Sequence, residues 1–397
     1  MRRARHIPLM PLAVLLPVLF FTGIWIGGHP GRLPPEIRSL FVAGDVNTLE
    51  AAIDIIEHDY YRRVDRRKLL RDGLAGAVAD LHDRFSRYLD PVAYRRFQAD
   101  STGRFSGVGM EVAAARSGLR VARVFAGSPA AKGGVQRGDE IVGVNGRSIA
   151  GRSTSQTTRL IRGRPGTFVA LTLISHGRRR VARLRRAEVT TPVVASSLRT
   201  VRDHRLGVVT LSQFSSGAHT ELRRAVEAQL ARGAQGIVLD LRDNGGGLLS
   251  EAVDVSSLFI RDGTIVSTRG RSRPRRVYRA SGASIARSVP VVVLVDGGTA
   301  SASEIVAGAL QDHHRALVVG THTFGKGVYQ EIRELPNGGA IDITVGEYFT
   351  PRGRNLGGGG IRRGPGVRPN LPAHDRPDTR PDEALDVALS ALAARVR

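Results

Sequence analysis

The rhythm of hydrophobic and polar positions changes several times along the chain. From Ile7 to Gly28 runs an uncharged stretch of 22 residues rich in Leu, Val, Phe and Ile, preceded by Arg2, Arg3 and Arg5. Roughly 20 such residues suffice to cross a bilayer core, and basic residues on the N-terminal side favour export of the downstream chain. The run ends in "FFTGIWIGGHPGRLPPE", without the small-residue pattern of a cleavage site. An uncleaved anchor over residues 1–35, with the rest outside the cytoplasm, is therefore expected; a secreted or periplasmic protein is the alternative.

The next segment, residues 36–98, reads as a helical module. Leu49, Ile53, Ile56 and Tyr60, then Leu69, Leu70, Leu74, Val78 and Leu81, recur at helix spacing. Over residues 99–187 the pattern switches to short strands and turns, with "GRFSGVGMEVAA", "RGDEIVGVNG" and "LIRGRPGT" in that order. Residues 188–372 alternate continuous apolar runs ("LGVVTL", "QGIVLDL", "PVVVLVDG", "RALVVG") with helix-like segments such as "HTELRRAVEAQLARG" and "SASEIVAGALQDHH". Continuous runs suit strands covered on both faces, so this region is predicted to be α/β. Residues 373–397 end in a predicted helix, "RPDEALDVALSALAARVR".

Composition narrows the chemistry. The 397 residues contain no cysteine, which excludes disulfides, thiolate catalysis and cysteine-ligated metals. A net charge of +23 raises nucleic acid as a partner, but the charge is spread along the chain and aromatic residues make up 5%. With an extracytoplasmic address, nucleic acid is not expected, and anionic lipid or cell-envelope polymers are the better partners for that field. The three lysines, Lys68, Lys132 and Lys326, leave 56 of the 59 basic residues as arginine. Arginine stays protonated at any accessible pH, whereas a buried lysine can lose its proton, so Lys326 is a candidate base.

Ser301 follows a predicted buried strand and a Gly-Gly turn and opens a helix, where free amides can stabilise an oxyanion. Ser303 is the better candidate for the helix cap, with Glu304 in the first turn. Lys326 follows the next strand, flanked by Gly325 and Gly327, and Gln330 lies four residues further on, where it can orient the amine. A Ser-His-Asp arrangement of Ser301 with His313, His314 or His322 and Asp312 is the rival. No metal-ligand spacing or phosphate-binding loop occurs, and no cofactor is expected.

Residues 99–187 resemble a PDZ domain. The resemblance implies a groove that takes an extended peptide as an added strand and holds its terminal carboxylate on backbone amides. The carboxylate loop would be Phe105, Ser106, Gly107, Val108, Gly109 and Met110. The motifs "LDLRDNGGGLLSEAVDVSSLFI", "VVVLVDGGTASASEIVAGALQD", "RALVVGTHTFGKGVYQ" and "ITVGEYFTPRGRNL" resemble those of the carboxyl-terminal processing peptidases, or tail-specific proteases. That family implies a crotonase/Clp-like α/β peptidase core with the PDZ domain inserted. It also implies Ser301 as nucleophile, Lys326 as general base, Gln330 orienting the lysine, the amides of Ala302 and Gly246 as oxyanion donors, and Asp312 as structural support. The partner would be a protein with an apolar C-terminal tail; self-association is left open. Gly245 and Tyr329 depart from the family pattern, which has proline and a small or aliphatic residue there. Two other classes share these features in part: a non-catalytic peptide-binding protein of the same fold, and a crotonase-like acyl-CoA enzyme.

Overall fold

The computed structural model describes residues 44–282, 284–285, 288–375 and 382–396, with the side chains of 44–47 excepted. The apolar run at 7–28 lies outside them, and among the described residues no helix is long and apolar enough to cross a membrane. The chain forms two compact units that meet in sequence between Leu81 and His82.

The first unit contributes helices α1 (Gly44–Asp59) and α2 (Arg66–Ala79). Asp65 caps α2 by accepting from the Arg67 amide, and the Arg66 guanidinium reaches back to Asp54 and Glu57 on α1 at 2.5 and 3.1 Å. The helical reading is too long at its C-terminal end. Arg87–Leu89 is a strand, β1, and Asp90 with Pro91 starts a separate helix, α3 (Pro91–Thr102), within the second unit. Proline at the first helical position disfavours α geometry in the residue before it, which separates α3 from anything upstream.

In the second unit β2 (Arg104–Gly107) pairs antiparallel with β9 (Ala187–Thr190), so both ends of the intervening domain leave side by side. Between them lie β3 (Met110–Ala115), β4 (Gly118–Val124), α4 (Pro129–Lys132), β5 (Glu140–Val144), β6 (Arg147–Ser148), α5 (Thr154–Ile161), β7 (Phe168–Ser175) and β8 (Arg178–Arg185). Their sheet runs β3-β4-β5-β7-β8 around a core that includes Leu119, Ile141, Leu171 and Leu173. Ser153 and Gln156 close a capping box at the start of α5. Its other end is held by Arg186, which is buried and donates to Leu160 O, Ile161 O and Phe168 O at 2.8–3.0 Å and to Thr167 Oγ1 at 3.1 Å.

The remaining strands divide between two sheets rather than forming one doubly wound sheet. The first has the order β10 (Val194–Val201), β11 (His204–Leu211), β12 (Gly236–Asp240), β15 (Val291–Val295), β16 (Ala316–Gly320) and β19 (Leu371–Pro372), parallel except for β10. Every residue of β12 and β15 is buried. Alternation explains why: Ile237, Leu239, Val291, Val293 and Val295 pack with α6 (Ala218–Ala231), α7 (Leu249–Ser257) and α8 (Ala302–Asp312), while Val238, Val292 and Leu294 face α9 (Glu383–Ala393). The second sheet, antiparallel, runs β1, β18 (Ala340–Phe349), β13 (Thr264–Gly270) and β14 (Arg273–Arg279), with β17 (Val328–Glu334) also on β18.

The C-terminal helix is thus a layer of the α/β core. Arg242, just past β12, grips Asp240 behind it and Asp382 at the cap of α9, with 2.8 Å contacts to both, and Asp375 at 3.1 Å. The Asp240 hydrogen bonds, opposed by burial, raise the guanidinium further above its usual range, so this clamp stays charged at every working pH.

The Arg186 fork has a direct test in the full chain. Replacing it with Met leaves carbonyls at the α5 terminus without donors, a loss of about 1–3 kcal/mol, and Lys offers a point charge instead of a planar fork. Arg186→Met is expected to lower the urea midpoint of unfolding, with Arg186→Lys recovering only part of it. An unchanged midpoint in both would show that water replaces the guanidinium at no cost.

Candidate active site

In a parallel sheet, loops leaving the carboxyl ends of neighbouring strands converge, and ligands bind in the crevice they form. Here the loops after β11, β12, β15 and β16 supply Ser212–Phe214, Gly245–Leu249, Ser301 and Lys326 to one cleft of about 790 Å³. Residues of the antiparallel sheet and its approach close the far wall: Arg87, Tyr278, Tyr329, Gln330, Asp342 and Tyr348.

Ser301 stands at the N-cap of α8 with φ 57° and ψ −113°. Positive φ is costly for a residue with a side chain, and such strain concentrates at functional sites because the surroundings must hold it. Asp296 braces the preceding turn, its Oδ1 accepting from the amides of Asp243, Gly298 and Thr299 at 2.9–3.0 Å. From the neighbouring loop, Asn244 O accepts from Ala300 N and from Ser303 Oγ, at 3.0 and 2.9 Å. Ser303 therefore does not cap the helix as its position suggests. It is buried and ties α8 to the glycine loop, while the cap position belongs to Ser301 and the reciprocal bond to Glu304.

The glycine loop approaches so closely that a side chain has no room. A Cβ on Gly246, at φ 100°, would lie 2.8 Å from Ala300 O and 2.9 Å from Ala302 N and Ser301 Cβ. Its amide, however, donates to Asn244 Oδ1 at 2.9 Å. In this conformation Gly246 is not the free oxyanion donor that the resemblance suggests, because an Asx-type turn already uses its N–H. The Ala302 amide, first in α8, has no intrahelical acceptor to face.

Lys326 is the second feature of the cleft. Its Nζ donates to Gln330 Oε1 at 2.5 Å, and Gln330 Nε2 donates to Thr344 Oγ1 at 2.9 Å, which fixes the amide with its oxygen toward the lysine. A register shift between Tyr329 and Gln330 in the β17–β18 pairing accompanies this turn of the side chain. The amine lies 5.1 Å from the centre of the Phe85 ring. Burial pushes its pKa below the ordinary lysine value; Asp342, Glu304 and Asp83 oppose that shift and Arg87 assists it. Burial likewise pushes the Asp342 carboxyl up, against the pull of Arg87 at 3.3 Å and of Lys326. Among the described residues no hydrogen bond joins Ser301 Oγ to Lys326 Nζ.

The other candidates fall elsewhere. Asp312 is buried and accepts from the Arg352 amide at 3.0 Å and from the Arg354 guanidinium, holding the 350–355 turn outside the cleft. His313 bonds Thr264 O, His314 bonds Arg352 and His322 bonds Pro365 O, and none of the three lines the cleft with Ser301. Of the six carboxylate-loop candidates, Phe105, Ser106 and Gly107 belong to β2 and Met110 opens β3, leaving Val108 and Gly109 as the connection. Ser106 Oγ donates to Gly163 O, and the Arg162 guanidinium covers the Phe105 ring. The loop reading is thus corrected to a strand with a two-residue link, because pairing with β9 straightens the chain. β3 is the edge of its sheet and packs against α5.

Residues 205–370 match peptidase family S41, and residues 120–174 match the PDZ domain. A probable CtpA-like serine protease of Staphylococcus epidermidis is 32% identical over 340 residues, 85% of this chain and 68% of that protein. Its counterpart in Staphylococcus aureus is 31% identical over 367 residues, covering 89% and 73%. Among solved structures, the photosystem II D1 C-terminal processing protease superposes with a TM-score of 0.52 at 30% identity, over 90% of this chain and all of that one. A putative S41 protease from Bacteroides fragilis, at 18% identity and a TM-score of 0.51 over 85% and 91%, shares the fold. The chain is a serine-type peptidase and belongs to the CtpA-like serine proteases of peptidase family S41.

Proposed function

We propose that this peptidase acts outside the cytoplasm, takes protein substrates by their apolar C-terminal tails, and cleaves them with Ser301 as nucleophile and Lys326 as general base. The observation that carries the reading is the half-buried lysine amine in the cleft of Ser301, held by a neutral amide rather than by a carboxylate. A neutral amine has two N–H donors and one lone pair. One N–H satisfies Gln330, and the lone pair remains to receive the Ser301 proton.

Ser301 Oγ then bonds to the carbonyl carbon of the substrate as its proton passes to Lys326 Nζ. The carbonyl electrons collect on oxygen, where the Ala302 amide at the start of α8 donates. A second amide comes from the glycine loop, from Gly246 once Asn244 releases it or from Gly245 beside it. Collapse breaks the peptide C–N bond, and the lysine ammonium returns its proton to the leaving nitrogen. Water, deprotonated by the same amine, hydrolyses the acyl-serine. Tail binding falls to the β3 edge, whose unpaired backbone groups beside α5 can take the substrate as an added strand.

Ser301→Ala and Lys326→Arg are each expected to lower turnover by up to about a millionfold, the scale seen when a member of a catalytic unit is lost. A weakly folded reporter protein ending in apolar residues measures this, with circular dichroism to show that the variants stay folded. Equal cleavage by wild type and both variants would remove the Ser-Lys assignment.

Turnover is also expected to rise with pH through a single deprotonation below about 10.4, the ordinary lysine value, since the base acts only when neutral. Asp342→Asn removes a charge that favours the ammonium, so it should move the rising limb of kcat/KM to lower pH. A limb that stays in place would separate Asp342 from the titrating group. Finally, replacing the last apolar residues of the reporter with aspartates is expected to raise KM and leave kcat nearly constant; an unaltered KM would argue against tail capture.

A further inference from the structure

Positive charge is denser in one domain than in the rest of the chain. Residues 99–187 hold 17 basic and four acidic side chains, so less than a quarter of the protein carries more than half of its net +23. Part of that excess lies on β8, an edge strand: β7 pairs along one side, and among the described residues no strand pairs along the other. Beside the free edge is a groove of about 570 Å³, lined in part by Pro129 and Lys132 of α4, Phe168 of β7, and Arg183, Leu184 and Arg185 of β8. It belongs to the opposite edge of the sheet from β3, where tail binding is proposed.

The backbone shows what this edge offers. Arg186 N donates to Thr167 O at 2.7 Å and Arg186 O accepts from Gly166 N at 2.8 Å, so both groups turn toward the β7 side. In an antiparallel pair such residues alternate with residues whose groups turn away. Val181, Arg183 and Arg185 therefore present N–H and C=O to the free edge. Their side chains are exposed on one face, whereas Ala182 and Leu184 are buried on the other. The Arg183 guanidinium lies over the Phe168 ring, 4.7 Å from its centre, and Arg185 Nε donates to Gly166 O at 3.4 Å. Neutral partners thus hold both heads. Among the described residues neither they nor Lys132 pairs with a carboxylate, and Glu188, the acid lining the groove, faces Arg104 at 3.7 Å.

Basic side chains on an edge strand often serve only to keep other strands away. Such a guard leaves its charges in water and needs no hollow. Here one arginine is laid on an aromatic ring, and Phe168 and Leu184 add apolar surface to a groove along the unpaired backbone. We propose that the β8 edge is a second binding site, which takes an extended acidic segment of a partner protein as an added strand. Side chains directly opposite across a sheet share a face. Residues facing Arg183 and Arg185 are then acidic, and those between them, on the face of Leu184, are apolar. This alternating pattern differs from an apolar C-terminal tail, and it needs no terminal carboxylate. The inference does not rest on the Ser-Lys reading.

The test uses the full chain and a fluorescein-labelled peptide of alternating Glu and Val, ending in an amide so that it offers no terminal carboxylate. Saturable fluorescence anisotropy is expected, weakening as salt is added. The double variant Arg183→Glu, Arg185→Glu places like charges opposite the peptide and should weaken binding about tenfold or more, while reporter turnover stays at the wild-type value and shows that the variant is folded. If reversal unfolds the domain, Arg183→Gln with Arg185→Gln is judged by the same loss of binding. The same peptide N-methylated at alternate amides keeps its charge but cannot complete the ladder, and it should bind more weakly; this comparison needs no protein variant. Absence of saturable binding would overturn the proposal. So would equal affinity for the N-methylated peptide or for soluble polyphosphate, which would leave only a diffuse positive field. Binding to phosphatidylglycerol vesicles without binding to the peptide would assign the face to a membrane instead.

Discussion

A lysine can serve as a base only where water is kept from its amine and no carboxylate bonds it directly, because either would stabilise the ammonium. Around Lys326, the proposed base, a ring and an amide supply part of that shielding. Phe85 covers one side of the amine, and Gln330 Oε1 accepts a hydrogen bond from it without contributing a charge. Acids do surround the site, but Asp342 is engaged by Arg87, and Glu304 meets the lysine at its backbone. Much of the tertiary structure can be understood as maintaining that pocket. The 83–89 segment must lie on β18, through Ser86 to the Thr344 amide and through the β1 pairing, or the ring and the ion pair are both lost.

The second constraint is the approach of three backbones behind Ser301. The end of β12, the glycine loop and the turn into α8 pack so closely that Gly246 tolerates no Cβ, and Asn244 stitches them with both its carbonyl and its side chain. The strained conformation of Ser301 is stable because Asp296, Asn244 and Glu304 overdetermine it. The buried parallel strands beneath supply rigidity, and Arg242 locks α9 over their other face.

Much of this is legible in the chain. The continuous apolar runs mark β12, β15 and β16, since strands covered on both faces need apolar side chains on both. The Gly-Gly turn before Ser301 marks the start of α8, and the arginine bias isolates Lys326. Other features are hidden. "DRFSRYLD" follows a helical pattern and carries no signal that it will pair with β18, some 255 positions away by the Arg87–Asp342 contact. Ser303 and Glu304 read as capping residues, and nothing local says that one reaches the glycine loop and the other the lysine loop. The Gly246 amide is picked out by motif, but its acceptor depends on the rotamer of Asn244.

Local pattern alone therefore dictates the set of elements, their order, and the residue types brought to their ends, because periodicity and turn chemistry act between neighbours. Which groups share a cleft, which amides are free and which carboxylates are buried emerge only on folding. Those outcomes depend on distances between segments far apart in the chain, set by sheet pairing and by the requirement that every buried polar group find a partner.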